Sequence, residues 1–349
     1  MYCFDVGPIR PPSEAQSLLI RVQRNCPWNR CEFCNVYKGT AFERKTADEV
    51  KADIDRAATF YGERTRAVTT AFLQDANALM IAADDLVEII RHLKSRFPRV
   101  DRITTYARGS TAARKSVGEL RRLREAGLSR VHVGLESGSS AVLKMMNKGV
   151  TPEQFIEGGR KIREAGLSLS EYVMPGLGGR EMWREHAVET AAALNRIDPD
   201  FIRLRSLSVR PGTPLHERMK RGGFTPLTEE ETVREIRLFI ENLDGIGSRV
   251  VSDHLLNLLQ EVEGKLPEEK QDMLDAVDRF LALDPAGKEN FMLGARLRYY
   301  HGVDDMNEEG RFAFVDSILR RIKRELNEDG YPAGYTIEDF LRKKMESVV

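Results

Sequence analysis

Between residues 17 and 208, short apolar runs alternate with longer stretches in which apolar positions recur at helical spacing. That alternation predicts repeated βα units around a parallel sheet. Strands are expected at residues 18–23, 67–73, 102–106, 130–136, 167–174 and 201–207, each running into a loop with polar or glycine residues. Helix starts are written between them. Thr46 with Glu49 three positions on forms a capping box, in which side chains satisfy free backbone N–H groups, and Thr151-Pro152-Gln154 repeats the device with a first-turn proline. Gly127 and Gly166, each within Glu-Ala-Gly-Leu, fit helix ends that need a left-handed residue. After Pro214 the strand signal fades, and residues 228–244, 252–262, 268–283 and 311–327 read as amphipathic helices. Gly222, Gly223 and Pro226 mark a boundary, so the expected organisation is an N-terminal segment 1–16, an α/β core 17–225 and a helical region 226–349.

Composition narrows the function classes. Lys plus Arg and Asp plus Glu each number 54, a net charge of +0, which argues against a chain held on nucleic acid mainly by phosphate neutralisation. Charged residues interrupt every apolar run well before the ~20 positions needed to cross a bilayer, and residues 1–15 lack the basic start and apolar centre of a signal peptide. A cytoplasmic chain without a membrane partner is expected.

The four cysteines are Cys3, Cys26, Cys31 and Cys34, and three of them fall within nine positions as C-x4-C-x2-C just beyond the first expected strand. This is poor geometry for a disulfide framework and good geometry for a metal. Three thiolates satisfy three irons of a 4Fe-4S cluster and leave the fourth iron open to an outside ligand. A closed zinc site with Cys3 as the distant fourth ligand is the alternative. Otherwise Cys3 is expected to be a free, small apolar residue.

Cys26, Cys31, Phe33 and Cys34, following the first strand of a six-unit βα region, resemble the cluster loop of radical S-adenosylmethionine (SAM) enzymes. The usual spacing there is C-x3-C-x2-C, so this loop carries one extra residue. Over about residues 17–215 the later motifs look closest to the branch of oxygen-independent coproporphyrinogen oxidases and methylthiotransferases. The resemblance implies a partial (β/α)6 TIM-like barrel with the helical region as a C-terminal extension. It also implies a 4Fe-4S cluster and SAM as cofactors, a low-potential electron donor, and reductive cleavage of SAM to a 5'-deoxyadenosyl radical that abstracts hydrogen from an organic substrate. Carried over residue by residue, it places Phe33 against the adenine, Glu136 of Gly134-Leu135-Glu136-Ser137-Gly138 on the ribose or amino group, and Lys148 on the SAM carboxylate. Tyr106 and Arg108 fall where relatives make polar SAM contacts. The glycine-rich turn that relatives carry after the second strand is replaced by Leu73-Gln74-Asp75-Ala76-Asn77, where Asp75 could accept from the SAM ammonium or only cap a local turn. Met174-Pro175-Gly176-Leu177-Gly178-Gly179 resembles the loop near the adenine.

The substrate is less legible. Strand alternation puts Arg203 and Arg205 on one face, suited to a carboxylate or phosphate of a small or medium-sized organic substrate, to the SAM carboxylate, or to salt bridges within the protein. A noncatalytic carrier or chaperone on the same scaffold, for heme for instance, and a zinc-stabilised protein-binding module are the competing functions.

Overall fold

The computed structural model describes residues 3–328, 331, 332 and 334–345, excepting the side chains of residues 327, 328 and 345. The extreme ends of the expected N-terminal and helical regions, residues 1, 2 and 346–349, lie outside the described residues. Two compact units are formed, one of Met1–Tyr172 with Ala193–Ile202 and the other of Val173–Ala192 with Arg203–Val349. The expected boundary near residue 225 is therefore not where the units divide.

The first unit is built on β1 (Leu18–Arg21), β2 (Thr70–Gln74), β3 (Arg102–Ala107), β4 (Leu128–Glu136) and β5 (Ser168–Val173), with β6 (Phe201–Leu204) as the last strand of the βα series. The strands lie side by side in chain order, and the pairs β1–β2, β2–β3 and β3–β4 are parallel. All six expected strands form, within a few residues of their expected ends. Helices Ala47–Tyr61, Ala83–Arg96, Val117–Ala126 and Pro152–Glu164 connect them. The capping boxes at Thr46 and Thr151 are both made, and Gly127 and Gly166 take positive φ of 128° and 76° at the helix ends.

Strand alternation gathers rings on one face of this sheet. Phe72 and Tyr106 meet edge to face with centroids 4.9 Å apart, and His132 lies 6.0 Å from Tyr106 and 6.1 Å from Tyr172. The N-terminal segment joins the same face through Glu14, whose carboxylate lies 3.4 Å from His132 Nε2 and accepts from Ser17 Oγ at 2.6 Å and Arg102 Nη2 at 3.2 Å. Glu14 and His132 are both wholly buried, so residues 12–17 are part of the unit and not an appendage. Burial pushes the Glu14 carboxyl up, but the hydrogen bonds from His132 and Ser17 and the charge of Arg102 outweigh it and hold it below its usual value. A carboxyl lowered on folding stabilises the fold fully above its unfolded pKa, and that contribution is lost as pH falls through the folded value. Glu14→Gln is accordingly expected to cost about 1–3 kcal/mol at pH 7. The gap from the parent should narrow in urea melts repeated at progressively acid pH, and a gap that widens would contradict this account.

The second unit holds helices Glu229–Glu241, Lys270–Ala282, Pro285–Arg296 and Glu309–Glu328, and an antiparallel pair, Arg249–Val251 with Gly264–Lys265. Two expectations are corrected here. Residues 252–262 are irregular instead of helical, because Ser252 Oγ donates to Leu259 O (2.8 Å) and the Asn257 amide donates to Leu204 O (2.8 Å), bonds that draw the segment into a loop. Its Leu256, Leu258, Leu259 and Val262 are still buried, so the apolar spacing reported burial and not helix. The unexpected helix Pro285–Arg296 starts on Asp284, which accepts from Gly287 N at 2.7 Å, with proline at the first position. Among the described residues no helix is long and apolar enough to cross a membrane.

Candidate functional site

In the first unit, the cysteine loop leaves β1 through Asn25 and Asn29, both at positive φ (69° and 45°), a conformation asparagine tolerates. Asn29 lies inside the four-residue spacer and turns it back: its amide donates to Tyr37 O at 2.6 Å, and its N–H points at Cys26 Sγ at 3.4 Å. Two further bonds pin the loop to the turn after the short helix Ser140–Met145, Trp28 Nε1 to Asn147 O (2.7 Å) and Glu32 N to Met146 O (3.0 Å). Gly149 in that turn has φ of 65°, and a Cβ there would lie 2.2 Å from the Trp28 ring, so only glycine fits.

This docking brings together residues far apart in sequence. Cys31 is influenced by Cys26 and Cys34 and by the cations of Lys148 and Arg108. Burial dominates and pushes its thiol up, while the two cations oppose. Arg108 lies over the Trp28 ring at 4.8 Å and donates to Lys148 O at 2.6 Å. Lys148 is buried, not a solvated surface lysine: its Nζ is 3.1 Å from Glu136 Oε1 and 5.6 Å from the Phe33 ring centre. Desolvation favours its neutral form, yet Glu136, Cys31 and the Glu136 hydrogen bond prevail and raise its pKa. Gly134 makes room for the pair, since a Cβ there would stand 2.5 Å from Glu136 Oε1. Phe33, Arg108, Glu136 and Lys148 therefore converge on the cysteine loop.

Two anticipated residues are engaged elsewhere. Asp75 Oδ2 accepts from Arg21 Nε (2.9 Å), Arg21 Nη2 (2.7 Å) and Asn25 N (2.8 Å), and a Cβ on Gly7 would touch its Oδ1, so it anchors the start of the loop. Tyr106 belongs to the ring cluster on the sheet face. Two other residues escaped the sequence reading. Glu171 on β5 is wholly buried with neither carboxylate oxygen hydrogen-bonded, and burial, reinforced by Glu136, pushes its carboxyl far up. Tyr37, also buried, has its phenol pushed up by burial and by Asp75, Cys26 and Cys34. An acidic residue in the middle of a short strand, between Ser170 and Tyr172, is the signal that could have found Glu171. Cys3 is a free cysteine and is exposed, with Sγ 3.7 Å from Arg56 O.

In the second unit, Glu235 ties the loop after β5 to helix Glu229–Glu241, accepting from Gly176 N at 2.5 Å and lying 2.5 Å from His186 Nδ1. Arg203 pairs with Asp253 at 3.0 Å, and Arg205, one residue beyond β6, points its Nε at His254 Nε2 at 3.4 Å.

The radical SAM superfamily model matches residues 20–191, from β1 through the helix after β5, and takes in the cysteine loop, Glu136 and Lys148. Residues 20–191 are a radical SAM domain. The chain is 32% identical over 227 residues to a tRNA-2-methylthio-N(6)-dimethylallyladenosine synthase of Chlorobium phaeobacteroides, covering 61% of this chain and 46% of that protein. It is 29% identical over 119 residues to a tRNA uridine(34) acetyltransferase of Methanocaldococcus infernus, 34% of this chain and 22% of the other. It thus spans less than half the length of these curated relatives. In fold it resembles the radical SAM methyltransferase TsrM from Kitasatospora setae (TM-score 0.50, 16% identity, 88% of this chain and 62% of that one). It also resembles coproporphyrinogen III oxidase from Escherichia coli (TM-score 0.50, 15% identity, 65% and 52%).

Radical SAM enzymes use a 4Fe-4S cluster and SAM, and the donor set of this domain fits both. Among the described residues no three His, Cys, Asp or Glu side chains are close enough to share one metal ion. A cluster asks for less, since each thiolate takes its own iron. For SAM, the Lys148–Glu136 pair beside Cys31 offers opposite charges to the carboxylate and ammonium of an amino acid, and the buried, unbonded Glu171 carboxyl lies near both.

Proposed function

We propose that this chain is a radical SAM enzyme that acts on an organic substrate carrying an anionic group. Cys26, Cys31 and Cys34 would hold a 4Fe-4S cluster through three irons. When bound, the cluster and SAM supply one-electron reductive cleavage of the sulfonium, which yields methionine and a 5'-deoxyadenosyl radical able to remove hydrogen from a C–H bond. The chain's own residues bind and orient. Lys148 meets the SAM carboxylate, Glu136 the ammonium or a ribose hydroxyl, and Phe33 provides an apolar wall for the adenine. Arg108, stacked on Trp28 and bonded to Lys148 O, holds the lysine's backbone in place. Enclosure of these groups strengthens each charge-assisted bond and keeps water away from a reactive intermediate.

The observation that carries this reading is the placement of a part-buried Lys148–Glu136 pair against a three-cysteine loop within a radical SAM domain. The test is anoxic reconstitution with iron and sulfide, then metal analysis and assay of 5'-deoxyadenosine after reduction with SAM present. About four irons per chain and nucleoside formation are expected. One zinc per chain without iron would sink the reading in favour of a structural metal, and iron without nucleoside would favour a carrier. Because the named relatives act on tRNA by their names, transfer RNA belongs among the substrates tried beside small carboxylates and phosphates.

A further inference from the structure

β6 and the segment that follows it carry three arginines, Arg203, Arg205 and Arg210, within eight positions, and the first two meet the loop 252–257 within the second unit. Arg203 is answered by Asp253 at 3.0 Å. Arg205 is not: among the described residues no carboxylate lies within ion-pair reach of its guanidinium, whose one hydrogen-bond partner is His254 Nε2 at 3.4 Å. The other ring nitrogen, Nδ1, faces Leu256 N–H at 3.2 Å. Burial first, and then the charges of Arg205 and Arg210, push the His254 pKa down to about 4, so the ring is neutral at pH 7.

A neutral imidazole has one acceptor nitrogen and one N–H. His254 nevertheless faces an N–H donor on each side, so in either tautomer one contact sets donor against donor. With Nδ1 accepting from Leu256, the Nε2–H and the Arg205 Nε–H confront each other as donors 3.4 Å apart in a positively charged setting. An anionic oxygen resolves the conflict, accepting from both at once in a charge-assisted pair of bonds. The surroundings are rigid. Asn257, itself buried, accepts from Ser206 N at 2.9 Å and donates to Leu204 O and Ser252 Oγ at 2.8 and 3.0 Å, clamping the arginine segment to the histidine loop.

We propose that Arg205 and His254 form an anion subsite that receives the carboxylate or phosphate of the substrate, with Arg203–Asp253 as its structural wall. That the anion belongs to the substrate rests on the enzyme reading above; the existence of the subsite does not. The test is isothermal titration of the reconstituted full-length protein, under anoxic conditions, with inorganic phosphate and separately with succinate, alongside SAM titration. Saturable binding of at least one probe is expected, weakened at least tenfold in Arg205→Gln and in His254→Gln, unchanged in Arg321→Gln on an exposed helix face, and with SAM affinity kept within twofold in all three. The stronger probe tells which anion the substrate bears. Absence of saturable binding, or equal binding by Arg205→Gln, overturns the proposal. So does a tenfold loss of SAM affinity in Arg205→Gln, which would assign the arginine to SAM. Circular dichroism of both variants guards against misfolding, and since the two replace different elements, loss in one folded variant suffices to read the result. If wild-type protein binds a probe but forms no 5'-deoxyadenosine, the enzyme reading fails and the subsite stands. Nucleoside formation without probe binding has the opposite meaning.

Discussion

Cys31→Ala is expected to leave a folded chain that no longer keeps its cluster. The Cys31 carbonyl receives a backbone bond from Cys34 N at 3.4 Å, which alanine preserves, and the loop is fastened by Asn29, Trp28 and Glu32, not by the thiol. The loss is thus confined to one iron ligand, and two thiolates leave two irons open to water instead of one. Iron after reconstitution should fall from about four per chain to near background, with the cluster's visible absorption. Formation of 5'-deoxyadenosine should drop at least about 1,000-fold, a barrier change of roughly 4 kcal/mol, while far-ultraviolet circular dichroism stays unchanged. Cys3→Ala should leave iron and nucleoside formation at wild-type levels, because Cys3 is exposed and contacts only a backbone carbonyl. Loss of metal in Cys3→Ala would bring back a four-cysteine site and count against the cluster.

Lys148→Met should be the most damaging single change outside the cysteines, in stability as well as in SAM binding. The lysine is 9% exposed, and its ammonium is 3.1 Å from Glu136, with the wholly buried Glu171 near both. A lysine whose pKa is raised on folding stabilises the fold fully below its unfolded value near 10.5, so the contribution is complete at pH 7 and is lost only as pH rises through the folded value. Methionine fills a similar volume but removes the cation that faces the Glu136 carboxylate. Removing one member of a buried pair typically costs about 3–5 kcal/mol. A loss of about 3 kcal/mol in urea melts is expected here, together with at least a tenfold loss of SAM affinity by equilibrium dialysis. Adding Glu136→Gln should restore part of the stability and none of the binding, because it removes the stranded charge without replacing the cation. A stability change under about 1 kcal/mol with unaltered SAM affinity would instead describe a lysine whose charge is answered by solvent.

Much of this was written locally. Period-two and period-3.6 apolar patterns announced the six βα strands, and capping boxes at Thr46 and Thr151 announced helix starts, because these signals depend on residues within a few positions of one another. The cysteine loop was equally plain, since ligand number and spacing are chemistry carried by a short peptide. Residues 252–262 failed the same test. Their leucines are spaced as on a helix, yet Asn257 and Ser252 satisfy backbone groups across the unit, a competition that no local pattern displays.

The sequence by itself determined that the chain folds around parallel βα units and carries three thiols suited to a cluster with an open iron. Tertiary structure alone decided which other residues reach those thiols. It brought Lys148, Glu136 and Arg108 to Cys31, withdrew Asp75 to hold the loop, buried Glu171, and distinguished Arg203, neutralised by Asp253, from Arg205, which meets a histidine. The reason is physical. Ligand number and strand period are properties of neighbouring residues, whereas burial, charge pairing and the competition for a hydrogen bond arise between groups dozens of positions apart, and exist only once packing has excluded water between them.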